Sequence, residues 1–111
     1  MANPYRGEVT LVVDGAPRVM RLTLGALAEL EARLNCDSLL DLISRFENGT
    51  FRVRDLIGLL TAGLSGGGWH ISEADLVGRR IDGGPLAAAQ AAARLLKLTF
   101  TLPDDEPDAR S

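Results

Sequence analysis

The chain has 111 residues, 46% of them hydrophobic and 24% charged, with a mean hydropathy of +0.08 and a formal net charge of −3. That is the composition of an ordinary soluble globular protein, with length for one domain and one core. Residues 103–111 hold Asp104, Asp105, Glu106 and Asp108 against Arg110; eleven basic and eleven acidic side chains remain for residues 1–102, so the body has no net field to attract nucleic acid or an anionic membrane.

The start, MANPYRGEV, lacks the apolar stretch of a signal peptide, and no apolar run reaches the ~20 residues of a membrane helix. The single cysteine, Cys36, excludes an internal disulfide. The expected location is therefore the cytoplasm, with neither membrane nor nucleic acid as partner.

The first elements are β. Glu8 to Val13 and Arg18 to Leu24 are rich in β-branched residues and flank Asp14-Gly15-Ala16-Pro17, and an Asp-Gly pair between alternating runs signals a hairpin. Within Arg21 to Leu34 the period then changes from 2 to 3.6. Leu22, Leu24, Leu27, Leu30 and Leu34 are expected to share one core, because a lone hairpin needs a helix against its apolar face. A first helix is predicted over Leu24 to Leu34 with Thr23 as N-cap, and Gly25 is read as the small residue that lets its start lie against the hairpin.

Ser38 opens a second helix, in which Leu39, Leu42, Ile43 and Phe46 make the apolar row and Asn48-Gly49 the stop. A third covers Val53 to Leu64, with Leu56, Ile57, Leu60 and Leu64 buried and Leu59 widening the row. Ser72-Glu73-Ala74-Asp75 begins a short fourth helix to about Arg80. Pro85 suits the first position of a fifth helix, running to about Phe100. There Gln90, Arg94, Lys97 and Thr101 form a narrow polar stripe, so the apolar arc is wider than one core contact requires. Leu96, Leu98, Phe100 and Leu102 also alternate with Lys97, Thr99 and Thr101, which would suit a third strand; the preceding alanines favour helix. The predicted fold is α+β and mainly α, an N-terminal hairpin packed on about five helices. Residues 1–102 form the domain, and residues 103–111 are expected to be a disordered acidic tail.

No motif indicates a reaction, a cofactor or a metal. His70 and Cys36 show no spacing that pairs them with an orienting acid, and four zinc ligands at short spacing are absent. Gly66 to Gly68 follow a helix with no lysine after them, so they read as a helix end and flexible link, not a phosphate cradle. Arg52, Arg54, Arg79 and Arg80 sit among Asp55, Glu73, Asp75 and Asp82, as on a salt-bridged surface. Glu29 and Glu31 lie two apart on a helix and diverge. Trp69, Leu95, Leu98 and Leu102 have two readings, plain core or contacts to another chain that receives the surplus apolar face of the last helix.

Taken together, GEVTLVVDG, RLTLGALAELEARL, FENGTFRVRDLIGLLTAGLSGGG and the alanine-rich last helix resemble the gene transfer agent family of small proteins, encoded in the phage-like tail gene clusters of GC-rich bacteria. The resemblance covers roughly residues 5 to 100 and is most specific over Arg21 to Glu31, then Arg54 to Gly66. It implies a non-enzymatic protein similar to phage tail assembly chaperones, which associate with the tape measure protein, keep its hydrophobic helices soluble and help recruit tail tube subunits. The same family is also described as a tail tube protein, so a structural tube subunit is the alternative. A tube subunit should be mainly β, because tube rings close by sheet pairing, whereas this chain reads as mainly helical. The expected partners are the tape measure protein, tail tube subunits or a second copy, and a small DNA-binding regulator is disfavoured by the neutral body.

Overall fold

The computed structural model of the protein describes residues 7–34 and 39–100. Strands β1 (Val9–Val13) and β2 (Ala16–Met20) pair antiparallel, from Val9 opposite Met20 to Val13 opposite Ala16. Asp14 and Gly15 both take positive φ, +54° and +81°, so two residues suffice for the turn, and β2 begins at Ala16 rather than Arg18. Val9, Leu11, Val13 and Met20 point into the core.

Each strand of this two-stranded sheet is met at its C-terminal end by another part of the chain. Beside β1, the Asp14 N–H donates to Arg80 O at 2.8 Å and the Asp82 N–H to Val12 O at 3.0 Å, with Ile81 bridging Val13. Beyond β2, the Arg21 N–H donates to Gly63 O at 2.9 Å. The turn is clamped as well, because the Asp14 carboxylate accepts from the Arg80 N–H at 3.0 Å and from the Arg79 guanidinium at 2.9 Å. The Arg80 backbone bond, followed by the Arg79 side-chain bond, holds the Asp14 carboxyl below its ordinary value of 3.8. A carboxylate with a lowered folded-state pKa contributes stability above pH 3.8 that is lost as the pH falls through the lower folded value. Asp14→Asn should accordingly flatten the acid limb of the stability curve below that pH, measured by urea unfolding at stepped pH.

Helix α1 (Leu24–Leu34) starts as predicted, with Thr23 Oγ1 accepting from the Ala26 N–H at 3.1 Å. Ala26 and Leu30 are buried and Leu27 packs beside them, but Leu24 is 85% exposed. The helical rotation sets Leu24 about 120° away from Leu30, so Ala26 takes the inward place expected of it. Gly25 is exposed too, and a Cβ there would meet only Thr23 Oγ1 at 3.9 Å, so it makes no close approach to the hairpin. The Leu34 side chain, Cys36 and the Ser38 cap lie outside the described residues.

Helix α2 (Leu39–Asn48) buries Leu42 and Phe46, and the Phe46 ring stacks on Phe51 with centroids 4.4 Å apart. Gly49 at φ +72° ends it, while the Thr50 N–H reaches back to Arg45 O at 2.9 Å, which satisfies a carbonyl the helix would otherwise leave open.

Helix α3 (Val53–Gly66) is the centre of the molecule, buried from Leu56 to Leu64 on nearly every side apart from Ile57. No charged residue falls between Leu56 and Gly66, as a helix enclosed all round requires. At its start the buried Asp55 accepts from the Arg52 N–H at 2.8 Å and pairs with Arg45 at 3.3 Å; Arg45 also holds Asp41 at 3.0 Å. Desolvation lowers the Arg45 pKa, but the Asp55 and Asp41 carboxylates outweigh it, and the net shift is upward. Asp55→Ala removes a cap and leaves Arg45 with one partner, so thermal unfolding should register a loss of about 2–3 kcal/mol. Asp41→Ala, at an exposed pair, should cost under ~1 kcal/mol.

Helix α4 (Glu73–Val77) is capped by Ser72 Oγ, which accepts from the Asp75 N–H at 3.1 Å, and it stops at Gly78, short of the predicted Arg80. The residues left over, Arg79 and Arg80, are the ones that clamp the hairpin turn. Helix α5 (Gly84–Phe100) stays helical to its last described turn, which removes the third-strand alternative, and buries Ala88, Ala92, Leu95 and Leu96. The molecule is thus the expected α+β fold, a hairpin followed by five helices. Residues 101–111, with Leu102 and the acidic tail, lie outside the described residues.

Candidate interaction surface

Between α2 and α5 lies a groove of about 540 Å³. Ile43, Phe46, Ala93, Leu96 and Leu98 make its apolar lining; Glu47 from α2 and Gln90, Arg94 and Lys97 from α5 provide its polar members. The lining exists because each helix spends its most buried face on the core and leaves a shoulder over. On α2 that shoulder is Ile43 beside buried Leu42 and Phe46; on α5 it is Ala93 and Leu98 beside buried Ala92, Leu95 and Leu96.

The four residues expected to contact a partner separate in the structure. Leu98 lines the groove. Leu95 is 0% exposed, and its side chain lies 2.7 Å from where a Cβ on Gly63 would stand, so it belongs to the core and offers no surface. The reason is that α5 meets α3 at a glycine, and the gap is filled by the long side chain opposite. Leu102 lies outside the described residues.

Trp69 does not line the groove. It packs against the core with the Arg18 guanidinium 4.0 Å and the Arg79 guanidinium 5.8 Å from its ring centroid. Arg18 stands opposite Leu11 on the buried side of the hairpin, and its Nε, shielded from water, has no hydrogen-bond partner among the described residues. The face of the indole supplies the compensating attraction. Trp69 is thus half-buried and committed to two arginines of its own chain.

In the sequence, Ile43 and Phe46 belong to the apolar row of α2, and Arg94 and Lys97 to the polar stripe of α5. What distinguishes them is pairing between α2 and α5, and periodicity within one helix carries no record of which helix lies alongside. Elsewhere, His70 Nδ1 and Ser65 Oγ lie 2.8 Å apart on the surface. Among the described residues no three His, Cys, Asp or Glu side chains are grouped to hold a metal, and no helix is long and apolar enough to cross a membrane.

Comparison with curated proteins finds no match to this chain, and neither does comparison with solved structures. A family model described as "Phage tail tube protein, GTA-gp10" matches residues 6–101. That span takes in the hairpin and all five helices, including both that form the groove. The chain belongs to the phage tail tube protein, GTA-gp10, family.

Proposed function

We propose that this protein is a non-enzymatic tail assembly chaperone whose α2/α5 groove receives a helix of the tape measure protein. The observation that carries the reading is the state of the sheet. A tube subunit joins its neighbours through open strand edges, and here the C-terminal end of β1 is bonded to residues 80–82 while the end of β2 lies against the end of α3. A groove with an apolar lining and charged members instead suits an amphipathic helix, anchored by residues spaced three and four apart.

The test is co-expression with the tape measure protein, followed by gel filtration. The expected result is a complex that keeps the tape measure in solution; a tape measure equally soluble without this protein, and no complex, sinks the reading. The second reading, a structural tube subunit, draws on the family description itself, and finding the protein in purified particles at ring stoichiometry would favour it.

A further inference from the structure

We propose that Arg18, seated on the Trp69 ring, is a binding site for a carboxylate side chain carried by another protein. Two of the described arginines are half-buried, Arg18 and Arg45. Arg45 holds two carboxylates, Asp55 at 3.3 Å and Asp41 at 3.0 Å. Arg18 holds none within 4 Å among the described residues, and its Nε, shielded from water, is left without a hydrogen bond there. Arg52, Arg54, Arg80 and Arg94 also lack a carboxylate, but all four are exposed, and water solvates their charge. Among the described residues, only Arg18 combines lost hydration with a missing counter-charge.

The seat follows from how the end of α3 meets β2. A Cβ on Gly67 would overlap the Val19 carbonyl oxygen, so the helix end is pressed against the strand, and two residues later the Trp69 N–H donates to Leu64 O at 2.9 Å. The indole is thereby fixed beside Arg18, whose guanidinium lies 4.0 Å from the ring centroid. The ring attracts that charge without neutralising it. Arg79, at 5.8 Å, brings a second guanidinium to the same ring, but the Asp14 carboxylate 2.9 Å from it offsets its charge. One positive charge is left over, which suits a monoanion better than a phosphate dianion. The two Nη atoms of Arg18 make no hydrogen bond among the described residues and are not shut off from water as Nε is. Their end-on fork matches the two oxygens of one carboxylate.

Hydration already lost in folding is not lost again on binding, so an anion gains more at Arg18 than at a fully hydrated arginine. A single ion pair at a half-open position is still too weak to retain a free small acid. It fits one contact within a larger interface, where arginine and tryptophan are the residues that most often anchor a partner. The carboxylate is therefore assigned to an aspartate or glutamate of a protein. The site is independent of the chaperone reading, because neither Arg18 nor Trp69 lines the α2/α5 groove, and its test contains no tape measure protein.

The probe is N-acetylglutamate amide, which carries one side-chain carboxylate and no other charge, added to the full-length protein at constant ionic strength. The Arg18 Nε–H resonance and the emission of Trp69, the chain's sole tryptophan, should follow one saturating curve. Its apparent affinity should be at least about threefold higher than the Arg54 and Arg94 Nε–H resonances report. Arg18→Met, which keeps the stem and removes the charge, should lose the Trp69 response yet unfold at an equal or higher urea midpoint, since no paired charge is given up. Arg18→Lys, a point charge without the fork, should bind the probe more weakly than wild type. An Arg18 response no stronger than those of Arg54 and Arg94 overturns the proposal. So does inorganic phosphate binding at Arg18 more tightly than the probe. Wild-type Trp69 emission unmoved by the probe, with an Arg18→Met midpoint well below wild type, would overturn it too and leave the stacked pair as a contact of the fold alone.

Discussion

Replacing Gly66 by Ala should destabilise the protein by about 3 kcal/mol or more, and Gly67→Ala should do the same, because both put a methyl group where backbone already is. A Cβ on Gly66 would overlap the Arg21 carbonyl oxygen and one on Gly67 the Val19 carbonyl oxygen, two fixed atoms that cannot rotate away. Neither glycine has positive φ, so the effect is a pure clash between the end of α3 and β2. Gly25→Ala, in an exposed turn of α1, is the control; it should be neutral or stabilise by up to ~1 kcal/mol. Urea midpoints of the three variants check the set. A Gly66→Ala midpoint at the wild-type value would mean that the helix end is not pressed on the strand.

The second large effect separates two leucines three residues apart. Leu95→Asp should abolish folding, seen as loss of the cooperative transition by circular dichroism. It places a carboxylate at a 0% exposed position against Met20 and α3, with no partner for the charge. Leu98→Asp should keep a cooperative transition, at a cost of about 1–2 kcal/mol for the half-buried side chain, and lose the tape measure complex. Ala93→Glu gives a second blocking charge in the groove with less apolar area removed. A folded Leu98→Asp and Ala93→Glu pair that still binds the tape measure would place its site elsewhere.

The elements were legible in the sequence wherever the signal is local. Thr23 and Ser72 cap their helices, Asp14-Gly15 makes the turn, and α1 and α5 are helical as far as they are described, through Leu34 and Phe100. What escaped is what depends on a neighbour. The glycines at 66 and 67 read as a flexible link, because nothing in their immediate sequence reveals the strand some 45 residues earlier that demands them. Leu24 fitted a helical row that the inward face of α1 does not use. Leu95 and Leu98 were alike as letters, and only the packing of α5 against α3 on one side and α2 on the other tells a core residue from a groove residue. The family resemblance needed none of this, since it rests on linear motifs, and the match over residues 6–101 supports it.

The clamp between Asp14 and Arg80 joins residues 66 apart in the chain, and it has a bearing on how the protein is made. On the ribosome, the hairpin emerges long before the segment that seals its outer strand. Until residues 79–82 have left the exit tunnel, β1 exposes a row of unpaired N–H and C=O groups that a second nascent chain can pair with. Closure of that edge is a non-local event and belongs late in folding. In pulse-labelled hydrogen exchange, the Asp14 and Asp82 amides should gain protection after the hairpin's internal amides. Variants that weaken the clamp should aggregate during synthesis more than their equilibrium stability would suggest.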